Sequence, residues 1–432
     1  MINLVLHENF NYKFGFTINI GGRNYITTND IVHTDNMERI VIFNGTLHHQ
    51  KDELDYIEKI LVESNSTEEF LNKIKYESGE WSLLLIEDDT VYALTDFLGS
   101  ATLYYNDNFE FSEDNYEIST GAAFDQIYKS KVLKWGYNMD NRTPFKDVKR
   151  VLPQKITKIE NRVVSETYIN TDDFMQGFEN ICTVDTYVHD AVYHQLSKCN
   201  PDEHIAVLLS GGLDSSIIAY ELITTNALEF NNKYKLKFYT LDEDPEDVKC
   251  AKEFADMYKI QLNIISYDKE KVDLSVALRI NKTPIDLGSM VPNQVLMRMI
   301  PEKVFFTGDG ADCLFGGFRR IDKYDSQMSD MIDEHPFYYS PKGNNAANTF
   351  GVKYNCPFND FTLVRFAFNL PLYARTHKKC LKEAYKNELP KSIIERKKLP
   401  LKTQQIVEDK DKYRYDLAQI FYNMDWTKYP NA

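Results

Sequence analysis

Ile205-Ala206-Val207-Leu208-Leu209-Ser210-Gly211-Gly212-Leu213-Asp214-Ser215-Ser216 leads from an apolar run through a glycine-rich turn into the helical stretch Ile217-Ile218-Ala219-Tyr220. Glycine allows a tight turn and lets backbone approach a ligand closely. The N–H groups at the helix start, and the positive end of its dipole, favour a phosphate there. Ser210, Ser215 and Ser216 add hydroxyl donors, and Asp214 is a hard oxygen ligand suited to Mg²⁺. A Walker A loop would end in Gly-Lys-Ser/Thr. This loop has no lysine and carries an aspartate.

Strands and helices alternate outward from that loop. Val184, Tyr187, Val188, Ala191, Val192 and Leu196 recur at helical spacing before it. After it, strand 236–241 leads to helix 246–258, strand 261–266 leads to helix 271–280, and strand 303–307 opens a second glycine-rich loop. This order predicts a doubly wound parallel α/β sheet with its ligand at the carboxyl ends of the strands. The second loop reads Thr307-Gly308-Asp309-Gly310-Ala311-Asp312-Cys313-Leu314-Phe315-Gly316-Gly317. If its strand neighbours the first, Asp214 and Asp312 can share one Mg²⁺. From about residue 360 the chain reads as helical, and 411–432 reads as a charged, aromatic, mobile tail without periodicity.

The first 175 residues read differently. Gly15–Ile20, Arg39–Phe43, Trp81–Ile86 and Thr90–Leu94 are strand-like, with Gly21-Gly22, Asn44-Gly45 and Asp88-Asp89 as turns. Helical patterns cover Glu53–Val62 and Glu68–Tyr76, so a layered α+β domain is expected. The domain boundaries fall at 1–175, 180–410 and 411–432.

Hydrophobic residues make up 43% and charged residues 27%, as in ordinary folded domains, and the formal net charge is −15. That charge argues against nucleic acid or anionic lipid as a partner. No apolar run is long enough to span a bilayer. The N-terminus has no signal-peptide pattern. The six cysteines form no C-x-x-C pair, which disfavours zinc, iron–sulfur and redox dithiol chemistry; reduced thiols in a cytoplasmic protein are expected. The histidines make no constellation. His48, His49 and His204 read as structural or solvated, and His377 as a surface residue beside Lys378.

Ser210–Ser216 resembles the pyrophosphate loop of the N-type ATP pyrophosphatases, and the two loops together resemble the asparagine synthetase superfamily, whose second loop reads G-E-G-S-D-E-x-F-G-G. Phe238-Tyr239-Thr240-Leu241 is similar to that family's adenine-side strand. Pro357-Phe358-Asn359-Asp360, Lys378-Lys379-Cys380-Leu381-Lys382-Glu383-Ala384 and Leu389-Pro390-Lys391-Ser392-Ile393-Ile394-Glu395-Arg396-Lys397-Lys398 match its later segments in order. In the first domain, Phe43-Asn44-Gly45, Gly79-Glu80-Trp81 and Thr95-Asp96-Phe97-Leu98-Gly99 resemble the family's Ntn-type glutaminase domain. Glutaminases of that kind use an N-terminal cysteine exposed by removal of Met. Here position 2 is Ile2 and the first cysteine is Cys182, so a degenerate domain without glutamine hydrolysis is expected.

The resemblance implies ATP and Mg²⁺. Ser210, Gly211, Gly212, Asp214 and Ser215 would cradle the pyrophosphate, with Leu209, Thr240 and Gly308 completing the nucleotide site. Asp214 and Asp312 would hold the metal. Lys378 stands at the family's catalytic lysine, with Lys379 the alternative one residue away. Asp309 stands where asparagine synthetases have glutamate and β-lactam synthetases have tyrosine, and would act as general base. The segment 284–290 would line the substrate pocket, with Asp286 either binding an amine or capping a turn. Two cysteine-less relatives, the β-lactam synthetases and the lasso-peptide macrolactam cyclases, close an amide within one molecule. The implied substrate is therefore a small molecule or peptide bearing carboxylate and amine, with a partner protein or precursor peptide as a further expectation. An ammonia-dependent asparagine synthetase and a non-catalytic partner-binding protein are the alternatives.

Overall fold

Trp81-Ser82-Leu83-Leu84-Leu85-Ile86 is apolar at nearly every position because both faces of its strand are covered. The computed structural model describes residues 1–6, 16–34, 38–121, 123–175, 182–268, 271–284, 290–317, 330–396 and 410–426. They form two units, Met1–Gln176 with Lys282–Pro284, and Gly177–Asn281 with Ile285–Ala432. Among the described residues no helix is long and apolar enough to cross a membrane.

The strands of the first unit are β1 (Asn3–Leu6), β2 (Phe16–Ile20), β3 (Arg23–Thr27), β4 (Ile31–His33), β5 (Arg39–Leu47), β6 (Gly79–Glu87), β7 (Thr90–Thr95), β8 (Tyr104–Asn106), β9 (Phe111–Ser112), β10 (Val148–Arg150), β11 (Lys155–Glu160) and β12 (Val163–Tyr168). Its helices are α1 (Glu53–Val62), α2 (Thr67–Ile74), α3 (Gln126–Trp135) and α4 (Thr171–Met175). Two six-stranded sheets result, ordered β10-β8-β9-β1-β3-β2 and β12-β11-β7-β6-β5-β4. Leu84 and Ile86 of β6 face the other sheet, meeting Ile2, Leu4 and Phe111. Trp81, Leu83 and Leu85 point the other way, onto Ile57, Ile60 and Leu61 of α1 and Phe70, Leu71 and Ile74 of α2. The twofold alternation of one strand thus builds two cores. Asp52 and Ser66 cap α1 and α2 by accepting from the N–H groups of Asp55 and Glu69.

Gly21 and Gly22 make the β2–β3 turn with φ of 57° and 76°, both in the left-handed region that such a tight hairpin needs. Asn44-Gly45 departs from its reading as a turn. It lies inside β5, with Asn44 opposite Ser82 and Gly45 opposite Trp81. A side chain at Gly45 would meet the Glu80 carbonyl oxygen at 2.1 Å, so this glycine serves close strand approach.

The second unit runs α5 (Val184–Ser197), β13 (His204–Leu208), α6 (Leu213–Leu228), β14 (Lys235–Leu241), α7 (Pro245–Tyr258), β15 (Leu262–Ile265), α8 (Leu274–Asn281), α9 (Met290–Met299), β16 (Val304–Phe306), α10 (Ala311–Leu314), α11 (Ser340–Phe350), β17 (Lys353–Asn355), α12 (Phe361–Asn369), α13 (Leu372–Arg375), α14 (Lys379–Ala384) and α15 (Lys391–Ile394). Five strands form one sheet in the order β15-β14-β13-β16-β17, all parallel. Ala206, Tyr239, Phe305 and Tyr354 bury one face beneath Ile280, Leu296, Met297 and Ala347 of α8, α9 and α11. The strand order reverses between β13 and β16. In such sheets a crevice opens there, at the carboxyl ends of the strands. Both glycine-rich loops leave the sheet at that point.

Strand β17 has no counterpart in the sequence reading, because three residues offer no alternation to detect. The closing helix Lys410–Asn423 was also missed. It packs on α8 and buries Leu417, Ala418 and Phe421, while Trp426 lies 5.4 Å from the Arg279 guanidinium.

Candidate active site

Leu209, fully buried, continues the ladder beyond β13 by donating its N–H to the Tyr239 carbonyl at 2.8 Å. The chain then turns. The Ser215 hydroxyl accepts from the Ser210 N–H at 3.0 Å and lies 2.9 Å from the Ser210 hydroxyl. Gly211 has φ of 76°, and a side chain there would strike the Asp247 carbonyl oxygen at 2.1 Å. Gly212 stands at the N-cap of α6 with no side-chain cap among the described residues. The Gly212 N–H donates to the Ser210 hydroxyl at 3.4 Å, and the N–H groups that follow at the start of this four-turn helix suit an anion.

The second loop lies against the first. A β-carbon on Gly308 would come within 2.6 Å of both the Asp214 carbonyl carbon and the Ser215 nitrogen, so only glycine fits. Gly310, with φ of 96°, passes beside the Asn359 side chain. The Asp360 carboxylate of the same segment caps α12 by accepting from the Thr362 N–H at 2.9 Å.

Lys378 joins the loops. Its Nζ lies 2.5 Å from Asp214 Oδ2 and 2.5 Å from Asp312 Oδ1. The side chains of Lys378, Asp214 and Asp312 are only 8%, 19% and 22% exposed. The backbone is bent to achieve this. His377 and Lys378 both take left-handed conformations, with φ of 56° and 59°. Their N–H groups donate to the carbonyls of Gly316 and Phe315 at 3.0 and 2.9 Å. Gly317 must be glycine, since a β-carbon would lie 1.9 Å from Asp312 Oδ1 and 2.6 Å from Lys378 Cε. Lys379, by contrast, is exposed, with its ammonium 5.8 Å from the Tyr373 ring.

The donor set suits a hard divalent cation. Two carboxylates from separate loops converge on one positive centre, and Asp214 Oδ1 is buried with no hydrogen-bond partner among the described residues. Among the described residues no group of three or more His, Cys, Asp or Glu side chains gathers as a metal site. An ion held by Asp214 and Asp312 would therefore complete its shell with phosphate oxygens and water.

Asp309 sits elsewhere on the loop. Its Oδ2 accepts from the Tyr354 hydroxyl at 2.7 Å. Burial, reinforced by the Asp309 charge, holds that phenol well above its ordinary pKa, so Tyr354 stays a donor. Thr240, on β14, is buried and its hydroxyl has no partner among the described residues. Asp286 and most of 284–290 lie outside the described residues, as do Lys397 and Lys398.

The sequence reading gave no role to Tyr354 or Arg396. Arg396 pairs with Asp247 of α7 and donates to the Gly211 carbonyl at 3.3 Å, bracing the first loop. Its place in the Leu389–Lys398 match was the available signal. Tyr354 lies three residues before Pro357, just outside the quoted segment.

A model of the asparagine synthase family matches residues 183–334 and 324–424, more than half of the chain. A glutamine-hydrolyzing asparagine synthetase 1 of Lotus japonicus is 28% identical over 239 residues, 47% of this chain and 40% of that protein. The human glutamine-hydrolyzing asparagine synthetase is 25% identical over 255 residues, 54% of this chain and 45% of that protein. The chain thus spans less than half the length of these relatives. Among solved structures, a U34-tRNA thiolase from Methanococcus maripaludis matches 60% of this chain and 83% of that chain at 14% identity, with a TM-score of 0.26, too loose a likeness to carry an argument. The family match spans both acidic glycine-rich loops and the lysine that bridges them, and the chain belongs to the asparagine synthase family.

Proposed function

We propose that this protein is an ATP-dependent carbon–nitrogen ligase that adenylates a substrate carboxylate and passes the acyl group to an amine, without hydrolysing glutamine. One observation carries the reading: Asp214, Asp312 and Lys378 meet at the switch point of the parallel sheet, beside a helix N-terminus that carries no side-chain cap among the described residues. A carboxylate oxygen attacks the α-phosphorus of ATP, and the bond to the β-phosphate oxygen breaks to release pyrophosphate. The loop N–H groups and the Ser210 and Ser215 hydroxyls hold the departing phosphates. Asp214 and Asp312 would hold Mg²⁺, which when bound neutralises phosphate charge. Lys378 supplies a fixed positive charge against the oxyanion. The amine nitrogen then attacks the acyl carbon, AMP leaves, and Asp309 accepts the ammonium proton while Tyr354 fixes its carboxylate.

The first unit is read as a degenerate Ntn-type glutaminase domain. Residues 1–181 contain no cysteine, and Ile2 is sealed in the core. Without a thiol the unit has no thiolate nucleophile to release ammonia from glutamine. An amine belonging to the acid's own molecule, as in macrolactam or β-lactam formation, gains effective concentration worth about 7–11 kcal/mol in favourable cases. A second reading, asparagine formation from free ammonia, is favoured by the names of the matched relatives. It is separated by incubation with aspartate, ATP and ammonium: asparagine would establish the second reading. AMP and pyrophosphate are the expected products in either case, and ADP with phosphate would rule out both. Asp309→Asn is expected to keep adenylation and slow amide closure. Equal loss of both steps would remove Asp309 as base.

A further inference from the structure

A concave surface of about 970 Å³ lies beside the catalytic lysine in sequence, between α13, α14 and α15. Its apolar lining comes from Leu372, Tyr373 and Ile394, and its charge from Lys379, Lys382, Glu383 and Lys386. Glu383 pairs with Lys386. Lys379 and Lys382 make no ion pair with any described residue, and sit at i, i+3 on α14. That spacing puts their β-carbons about 5–6 Å apart on one side of the helix. The Tyr373 ring is 72% exposed. In a chain of net charge −15, this groove joins an exposed aromatic to two uncompensated cations.

We infer that this groove binds an acidic segment of a peptide substrate, outside the site that holds Lys378. The identification as substrate rests on the proposed adenylation; the binding itself does not. Three features select the ligand. A polyanionic chain approaching a molecule of charge −15 is repelled overall, so capture needs a local basic surface. Leu372, Tyr373 and Ile394 offer apolar contact that phosphate or citrate cannot use. The volume lies at the top of the range of about 300–1,000 Å³ typical of small ligands, and so suits several residues of an extended chain. The left-handed bend at His377 and Lys378 explains the geometry. It turns Lys378 inward to the aspartates while leaving its neighbours His377 and Lys379 on the groove wall.

The test uses the full chain without ATP. Fluorescence anisotropy is measured with a short fluorescein-labelled peptide of alternating glutamate and leucine, and with its glutamine counterpart. The acidic peptide should bind, weaken steeply with salt, and lose affinity about tenfold or more in Lys379→Glu/Lys382→Glu. Both substitutions are on exposed or half-buried side chains, and a melting curve checks that the variant folds. Equal affinity for the two peptides, or no response to the double reversal, would overturn the inference. So would capture of phosphatidylserine vesicles that the reversal abolishes while peptide binding is absent. The double variant should also raise KM for a peptide substrate far more than it lowers kcat. Asp312→Asn separates the two claims, because adenylation should vanish while peptide binding stays. Pyrophosphate release without peptide binding overturns this inference alone; peptide binding without pyrophosphate release by the unaltered chain overturns the proposed function alone.

Discussion

Asp96 in the first unit and the partly buried Asp214–Asp312 pair in the second are carboxylates held in different ways. In the first, Asp96 is completely buried, and its two oxygens accept from the N–H groups of Ser100 and Ala101 at 2.9 and 2.8 Å. Burial raises its pKa to about 7, against those hydrogen bonds, and the group serves a turn after β7. Immediately before β1 the chain places Ile2, wholly inside the core. In the second unit two carboxylates and an ammonium are pressed together at the strand ends, held there by two non-glycine residues with positive φ. Such an arrangement is a poor way to gain stability: buried ion pairs often cost more in desolvation than they return, and positive φ at ordinary side chains costs of order 1–3 kcal/mol each. Strain and charge persist together where the surrounding fold over-determines them. The first unit also joins burial, a φ of 62° and an ion pair, at Lys282 and Asp114, so what sets the second unit's site apart is that two carboxylates from separate loops meet one ammonium, while Ile2 serves packing.

The sharpest way to break this contrast is Lys378→Met. Loss of one preorganised charge in a closed site should lower AMP formation by roughly 10²–10³-fold. ATP binding, followed by calorimetry, should survive because the loop N–H groups and serines remain. Because methionine removes the cation between Asp214 and Asp312, the thermal midpoint should rise on adding Mg²⁺ more than it does in the unaltered chain. Turnover within a few-fold of normal would mean that the buried ammonium is structural, and the contrast between the units would fail.

Ile2→Ala probes the other side. Removing a fully buried branched side chain should cost about 2–5 kcal/mol of stability. Denaturant unfolding measures the loss, and turnover per folded molecule should be unchanged. A selective loss of ATP chemistry at full stability would show that β1 is more than packing.

Much of the second unit was legible because its signals are local. An apolar run of five or six residues, a glycine-rich turn and a following helix specify β13 and α6 almost without tertiary information. The same pattern located β16 and its loop. Asp214 and Asp312 could be named as partners, but their meeting depended on strand order, which the sequence supplied only through the expected doubly wound topology. The bend at His377 and Lys378 that turns Lys378 inward and Lys379 outward has only a weak signal, since histidine is enriched at positive φ but lysine is not. Tyr354 stayed hidden because β17 is three residues long and draws its place from pairing with β16. Asn44-Gly45 misled for a complementary reason. It has the composition of a hairpin turn, yet the glycine is needed where two strands touch. The helix Lys410–Asn423 lacked a clean apolar stripe, and its buried face is set by α8.

The smallest expected effect concerns what holds α6, and so the first loop, in place. His189 of α5 lies 3.2 Å from Glu221 Oε2, while the Tyr385 hydroxyl donates to Glu221 Oε1 at 2.7 Å. The hydrogen bond to Glu221 holds the imidazole pKa above its ordinary value, outweighing partial burial. A raised pKa in the folded state means that the contact contributes fully below about pH 6.5 and is lost as pH rises through the folded value. With His189 about a third exposed, the contribution should stay under about 1 kcal/mol. Calorimetric melting should therefore show a small fall in stability above about pH 6.5 that His189→Gln removes. An unchanged pH slope in that variant would assign the titration to another group. Because Tyr385 continues to hold Glu221, α6 should keep its position and AMP formation should not follow the melting temperature. If the two fell together, the loop would depend on its supporting helices more than on the bridge made by Lys378.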